Sequence, residues 1–183
     1  DGRLIQEYAV ESRFFVPIDA VPKRVIDAFL AAEDKTFYEH NGIDIAGLLR
    51  AIFITNIERK LEGRRSVGAS TITQQVAKNF LLTDEYSFER KVREAILAIR
   101  IEQTFSKDHI LELYLNENFL AAGYGVAASA RNTYNKSLDE LTIAEAAFIA
   151  GSAQAPGRIM RDPQEGTDRR NYVNQRMYED GHL

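Results

Sequence analysis

The sequence contains no cysteine. That excludes disulfides, a thiol nucleophile and cysteine-based metal sites, and it leaves the cellular compartment open. No stretch approaches the roughly 18 consecutive apolar residues of a membrane-spanning helix. No secretory signal opens the chain, which starts DGRLIQEY. A protein anchored through a segment outside this stretch would read the same way, and so would a cytosolic one. Positive charge is not in excess. The 23 Lys and Arg stand against 27 Asp and Glu, and the net charge of −4 argues against nucleic acid as the main partner. Internal repeats and low-complexity tracts are also lacking. What is there is an ordinary globular composition, 45% hydrophobic and 27% charged, over 183 residues. That length suits one domain with a sizeable core.

The apolar spacing is helical nearly throughout, which predicts a single all-α domain over residues 1–183. Residues 1–20 are the exception and read as an extended arm or a small hairpin. Helices are predicted at about 22–39, 45–61, 71–82, 87–104, 107–118, 125–134, 142–152 and 167–180. Start signals accompany several of them. Ser87 and Ser106 stand before apolar-periodic runs, and Thr142 with Glu145 fits a capping box. Residues 153–166, with Pro156, Gly157, Pro163 and Gly166, read as a loop.

Two segments carry more than a core pattern. Residues 44–65 combine Ile45, Leu48, Leu49, Ile52, Phe53, Ile54 and Ile57 with Arg50, Arg59, Lys60, Arg64 and Arg65. Apolar bulk with basic edges suits a helix on an anionic membrane surface. Composition by itself favours a core helix with a solvated end, because most amphipathic helices face a core. The second segment is SVGASTITQQVAKN, residues 66–79. Ser70 is a good N-cap there, and Thr71, Thr73, Gln74, Gln75, Lys78 and Asn79 follow. A helix start with free N–H groups, hydroxyls and a lysine suits a phosphate, although the Walker spacing is missing. An ordinary well-capped polar helix would look similar, except that two threonines are poor helix formers for a merely solvated face.

The candidate chemistry rests on carboxylates. In AAEDKTFYEHNG, residues 31–42, Glu33 lies between Phe29 and Phe37 and is placed for partial desolvation, which suits a general base. Asp34 points about 100° away around a helix and could hold the turn or a cation. His40 reads as a capping or hydrogen-bonding group, and Gly42 as a helix stop. In SFERKVREAILAIRIEQ, Arg90 with Glu94 and Glu89 with Arg93 are i,i+4 pairs. The plain reading is a set of surface ion pairs. The functional one is that Arg90 binds a phosphate while Glu94 supplies a second carboxylate, as glycosyl chemistry commonly uses. Glu112 and Asn116 read as buried polar groups bracing a helix end. The Gly123-Tyr124-Gly125 turn lacks a preceding strand, so a dinucleotide site is not indicated.

Taken together, these stretches resemble the peptidoglycan glycosyltransferase domain of bifunctional penicillin-binding proteins and their monofunctional relatives (glycosyltransferase family 51). EDKTFYEHNG resembles the first motif, GASTITQQVAKN the second, RKVRE the third and ILELYLN the fourth. EAAFIAGSAQAP with RRNYVNQRM resembles the fifth and its tail. The five stand in order over nearly the whole chain. Departures are local: Ala121 stands where a glycine is usual, and Gly151-Ser152-Ala153 where Gly-Leu-Pro is typical.

The resemblance implies a lysozyme-like, two-lobed helical fold with a membrane-associating jaw at 44–65, which reverses the reading from composition. It implies inverting polymerisation of lipid II. The growing glycan on undecaprenyl pyrophosphate is the donor, and the lipid II GlcNAc 4-hydroxyl attacks. Glu33 matches the catalytic base and Glu94 the second important carboxylate. Lys78 and Arg90 match positions that handle the pyrophosphate, and Ser70, Thr71 and Gln75 line the donor site, with Asp34 assigned to the substrate side of the first motif. No cofactor is required and no protein-held metal is expected, with magnesium or manganese an optional companion of the pyrophosphate. Implied partners are lipid II, the glycan chain, the bacterial membrane and a moenomycin-type inhibitor. The implied place is the outer face of the cytoplasmic membrane, with an N-terminal anchor outside this stretch. Two rival readings stand beside it: a lysozyme-like peptidoglycan hydrolase, and an inactive membrane-surface module that binds lipid II. A hydrolase has no pyrophosphate to hold, which makes Lys78 with Arg90 the discriminating feature.

Overall fold

A computed structural model of the chain describes residues 13–49, 70–80 and 88–183. These are predominantly helical, as the periodicity predicts. In chain order the elements are α1 (Lys23–Glu33), α2 (Ile72–Phe80), α3 (Phe88–Thr104) and α4 (Lys107–Glu117). A two-residue antiparallel pair follows, β1 (Phe119–Leu120) and β2 (Gly123–Tyr124). Then come α5 (Val126–Tyr134), α6 (Ile143–Ser152), α7 (Pro156–Ile159) and α8 (Pro163–Glu179).

Two helix groups share one core. α1 packs on α6 and α8, while α2 packs on α3 and α4. Val25 and Phe29 of α1 meet Ile149 and Ala150 of α6 and Val173 and Met177 of α8 in the buried interior. Alanines and one glycine on α6 let its neighbours approach closely: a Cβ on Gly151 would come within 2.9 Å of Arg169 Cγ. On the other side Ile72, Val76, Ala98, Ile101, Ile110 and Tyr114 are buried together. Phe29 and Tyr114 join the two groups edge to face, with ring centroids 6.0 Å apart.

Several predicted caps are present. Ser106 caps α4 through the His109 N–H, and Thr142 with Glu145 forms the reciprocal box at the start of α6. Glu112 and Asn116, read as polar groups bracing a helix end, tie the arm to α4. Asn116 pairs with both the N–H and the carbonyl of Val16, at 2.8 and 2.9 Å. Glu112 accepts the Ile18 N–H at 2.9 Å. Arg13, the first described residue, forms a bridge with Tyr124.

Three predictions need correction. The helix expected over 22–39 stops at Glu33, and Asp34 is already non-helical at φ −158°. Gly42 therefore does not stop it. Gly42 takes φ +89° and lies so close to α3 that a Cβ would be 2.9 Å from the Ala98 carbonyl oxygen. The predicted loop 153–166 contains α7 and the first turn of α8. Pro163 sits at the first helical position, where a missing N–H is harmless, behind an Asp162 cap. Gly166 is tolerated inside α8 because its bare Cα packs against Phe148. Of the jaw segment, residues 45–49 are helical, with Ile45, Leu48 and Leu49 exposed. The remainder of 44–65, like the predicted Ser87 cap and residues 1–12, lies outside the described residues. No helix among the described residues is long and apolar enough to cross a membrane.

The usual glycine missing at 121 leaves Ala121 at φ +33°, with its N–H held by Ser152 Oγ at 2.7 Å. Gly125 shows why the turn beyond it needs glycine. It takes φ +78°, and a Cβ would lie 2.7 Å from the Asn116 carbonyl oxygen. Gly125→Ala should lower stability by roughly 2–3 kcal/mol, from left-handed strain plus a backbone clash at the residue that holds the arm. Denaturant unfolding of wild type and variant measures this, and an unchanged midpoint would refute the packing account.

Candidate active site

Glu33 is the last residue of α1. Its Oε2 accepts a hydrogen bond from Gln75 Nε2 at 2.9 Å, while Oε1 is buried without a hydrogen-bond partner. Burial pushes its pKa up from 4.5 to about 6; the Gln75 bond and the Arg169 charge pull it down, and the Asp34 charge pushes it up. The residue as a whole is only half-buried, so it is the carboxylate end that the protein encloses. A carboxyl group poised near 6 is suited to take a proton at neutral pH.

Asp34 faces the other way. Both of its oxygens lie 3.0 Å from His40 Nε2, and Oδ2 also accepts the Ile72 N–H at 2.9 Å. His40 in turn accepts the Gly42 N–H through Nδ1. Asp34 thus ties the turn after α1 to the start of α2, and its oxygens are engaged by protein groups. Placed on the substrate side by resemblance, it takes a structural position in this geometry. Among the described residues no cluster of three or more His, Asp or Glu could hold a metal ion.

The polar start of α2 resolves into separate tasks. Thr71 caps it, not Ser70. The Thr71 hydroxyl accepts the Gln74 N–H at 3.1 Å, and Gln74 Oε1 accepts the Thr71 N–H at 2.9 Å. The same hydroxyl donates to the Gly42 carbonyl at 2.7 Å, so Thr71 is spent on the fold rather than turned to a ligand. Thr73 donates to Glu102 at 2.6 Å, and Glu102 also takes Lys107 at 2.7 Å. Gln75 remains on Glu33. Lys78 is exposed one turn further along α2.

α3 brings the second charged group. Glu94 is fully buried, with Arg90 Nε at 3.2 Å and Lys91 Nζ at 2.6 Å. Lys91 Nζ also reaches Ser70 Oγ at 3.3 Å. Glu89 and Arg93 pair at 2.6 Å on the solvent side, as plain helix-surface charges do. Glu94 gathers two cations. Of those cations Arg90 is the buried one and Lys91 is half-exposed, so Lys91 is the more available to a ligand. Sequence reading passed over Lys91, although its i,i+3 spacing to Glu94 was a usable signal. It also passed over Arg169, whose approach to Glu33 has no local signature. α2 and the residues leading into it span the two halves: Ser70, just before the helix, touches Lys91, and Gln75 within it holds Glu33.

The family described as Transglycosylase matches residues 1–178. The chain belongs to the transglycosylase family. It is 55% identical over 186 residues to Penicillin-binding protein 1A of Rickettsia felis, covering all of this chain and 23% of that protein. It is 47% identical over 186 residues to Penicillin-binding protein 1A of Haemophilus influenzae, covering all of this chain and 21% of that one. The crystal structure of the Haemophilus influenzae protein matches with a TM-score of 0.51 at 27% identity, covering 94% of this chain and 16% of that chain. The transglycosylase chain therefore spans less than a quarter of the length of these curated relatives.

Two outcomes follow from this transglycosylase site. A raised carboxyl pKa means the folded state holds the Glu33 proton more tightly than the unfolded chain. The penalty of the ionised form grows as pH rises from 4.5 and is complete above about 6. Glu33→Gln should therefore stabilise the fold by about 1–2 kcal/mol at pH 7.5, with the gain vanishing near pH 4. Unfolding curves at both pH values check it, and a gain of equal size at pH 4 would remove the electrostatic cause. Glu94→Gln should instead destabilise by roughly 2–3 kcal/mol at pH 7.5, because it removes the buried negative charge that Arg90 and Lys91 gather around. Urea titration reads that loss.

Proposed function

We propose that this domain is a peptidoglycan glycosyltransferase that polymerises lipid II with inversion and releases undecaprenyl pyrophosphate. The observation that carries the reading is a carboxylate poised near pH 6, fixed by Gln75 on the same helix that begins beside the Lys91–Glu94 pair. Family membership and the Penicillin-binding protein 1A relatives support it.

In this reading Glu33 takes the proton from the GlcNAc 4-hydroxyl of lipid II. The hydroxyl oxygen attacks C1 of the growing glycan from the face opposite the pyrophosphate. The C1–O bond breaks with its electron pair leaving on the pyrophosphate, whose charge meets Lys78, Lys91 and Arg90. Glu94 holds Arg90 and Lys91 in place. Ser70 and Gln75 border the donor, and any divalent ion travels on the pyrophosphate. The lipid-linked substrates place the reaction at the outer face of the cytoplasmic membrane, and the exposed Ile45, Leu48 and Leu49 suit contact with that surface. A moenomycin-type inhibitor would compete for the donor side.

Labelled lipid II in detergent tests this. Wild type should give glycan ladders, and Glu33→Gln should lose at least about 100-fold of the rate while remaining folded. Cleavage of finished glycan without ladder formation would favour the hydrolase. Lipid II binding with no turnover by a folded wild-type chain would favour the binding module.

A further inference from the structure

Three consecutive residues at the end of α1 go to three different places. Glu33 is held by Gln75. Asp34 accepts the Ile72 N–H at the start of α2. Lys35 turns to the far end of α8, where its Nζ pairs with Asp180 Oδ1. The Asp180 side chain is only 4% exposed, against 52% for Lys35. Asp180 Oδ2 is buried without a hydrogen-bond partner, so among the described residues the Lys35 ammonium is the cation that offsets this enclosed carboxylate. α8 closes at the same point. The Gly181 N–H reaches the Tyr178 carbonyl oxygen at 3.1 Å, and the His182 N–H reaches that of Met177 at 2.9 Å, the paired bonds of a Schellman turn. That turn fixes Asp180 and brings His182 Nδ1 to 3.5 Å from Asp27 Oδ1, nearly two turns before Glu33 on α1. The end of α8 therefore grips α1 on both sides of the base, upstream at Asp27 and downstream at Lys35.

We propose that Lys35 and Asp180 are a positioning pair of the glycosyl-transfer site: their ion pair fixes the turn after α1 against the end of α8 and so keeps the Glu33 carboxylate in its enclosed place on Gln75. The proposal rests on the reading of Glu33 as base. Asp34 secures the same turn from the side of α2, but one anchor leaves the turn free to swing about it. A second anchor, on a different helix, removes that freedom. The hydrogen bond from Gln75 cannot do this by itself, because it meets the carboxylate and not the backbone that carries it. Placement of this kind matters to a base, since a misplacement of about 1 Å can cost on the order of 100-fold in rate.

The test is a direct titration of Glu33 by carbon NMR of side-chain-carboxyl-labelled glutamate, with Glu33→Gln assigning the signal. It needs no turnover. Wild type should titrate near 6. The variants are Lys35→Gln, Asp180→Asn and the two together; the double variant leaves no lone charge behind and serves if a single one fails to fold. A loosened turn lets water reach the carboxylate, so all three midpoints should fall toward 4.5. Charge acting alone would behave otherwise: loss of the Lys35 cation would raise the midpoint, and loss of the Asp180 anion would lower it. Lys35→Arg, which keeps the charge, should titrate like wild type. In polymerisation of labelled lipid II, kcat should fall at least about 10-fold in Lys35→Gln and in the double variant with KM little changed, while Lys35→Arg retains the rate. Opposite shifts in the two single variants, or unmoved midpoints in all three, overturn the proposal. The expected shifts without glycan ladders from wild type would keep the clamp and remove the reading of Glu33 as base.

Discussion

The Asp34 carboxylate is the hinge on which the rest of the site turns. It is buried, it faces the His40 ring, and it accepts the N–H of Ile72 at the start of α2. A carboxylate at a helix N-terminus satisfies a donor that has no intrahelical partner and meets the positive end of the helix dipole. One side chain therefore ends α1 and docks α2. With α1 ended at Glu33 and α2 fixed at Ile72, Gln75 falls one turn along, within 2.9 Å of Glu33. The Thr71 hydroxyl reinforces the joint by tying α2 to the Gly42 carbonyl, and Gly42 itself must be glycine to pass so close to α3.

That joint creates a conflict which the site uses. Packing the end of α1 into the protein encloses the Glu33 carboxylate, and enclosure favours its neutral form. The fold would be more comfortable with an uncharged residue there. Gln75 and Arg169 offset the penalty only in part, so the group rests near pH 6 rather than at an ordinary carboxyl value. A proton acceptor needs that compromise: fully solvated it would be a weak base, and fully desolvated it would stay protonated.

The second charged group obeys the opposite logic. Glu94 is buried more completely than Glu33, yet it has two cations within ion-pair distance. A buried carboxylate paired in this way acts as a template for cations. Lys91 stays half-exposed while Arg90 is buried, so Lys91 is the more exposed positive head of the pair. α2 carries the geometry between these halves, which explains its unusual polar start. Thr71 and Gln74 cap it, Thr73 ties it to Glu102, and Gln75 reaches the base.

What the sequence determined by itself is whatever depends on neighbours three or four residues away. The helical class, the Ser106 cap, the Thr142–Glu145 box and the polar brace at Glu112 and Asn116 were legible because helix periodicity and capping are local. The ordered motifs were legible too, and they led to the family. Tertiary structure decided what depends on distant partners. Asp34 meets Ile72 across 38 positions and Gln75 meets Glu33 across 42. No local pattern could show that α1 stops at Glu33, that Thr71 rather than Ser70 caps α2, or that Glu94 is enclosed while Glu89 is solvated. The nearness of Arg169 to Glu33 belongs to the same class. It exists only because α8 packs back on α1, and long-range packing sets the dielectric and the charges that a carboxylate feels.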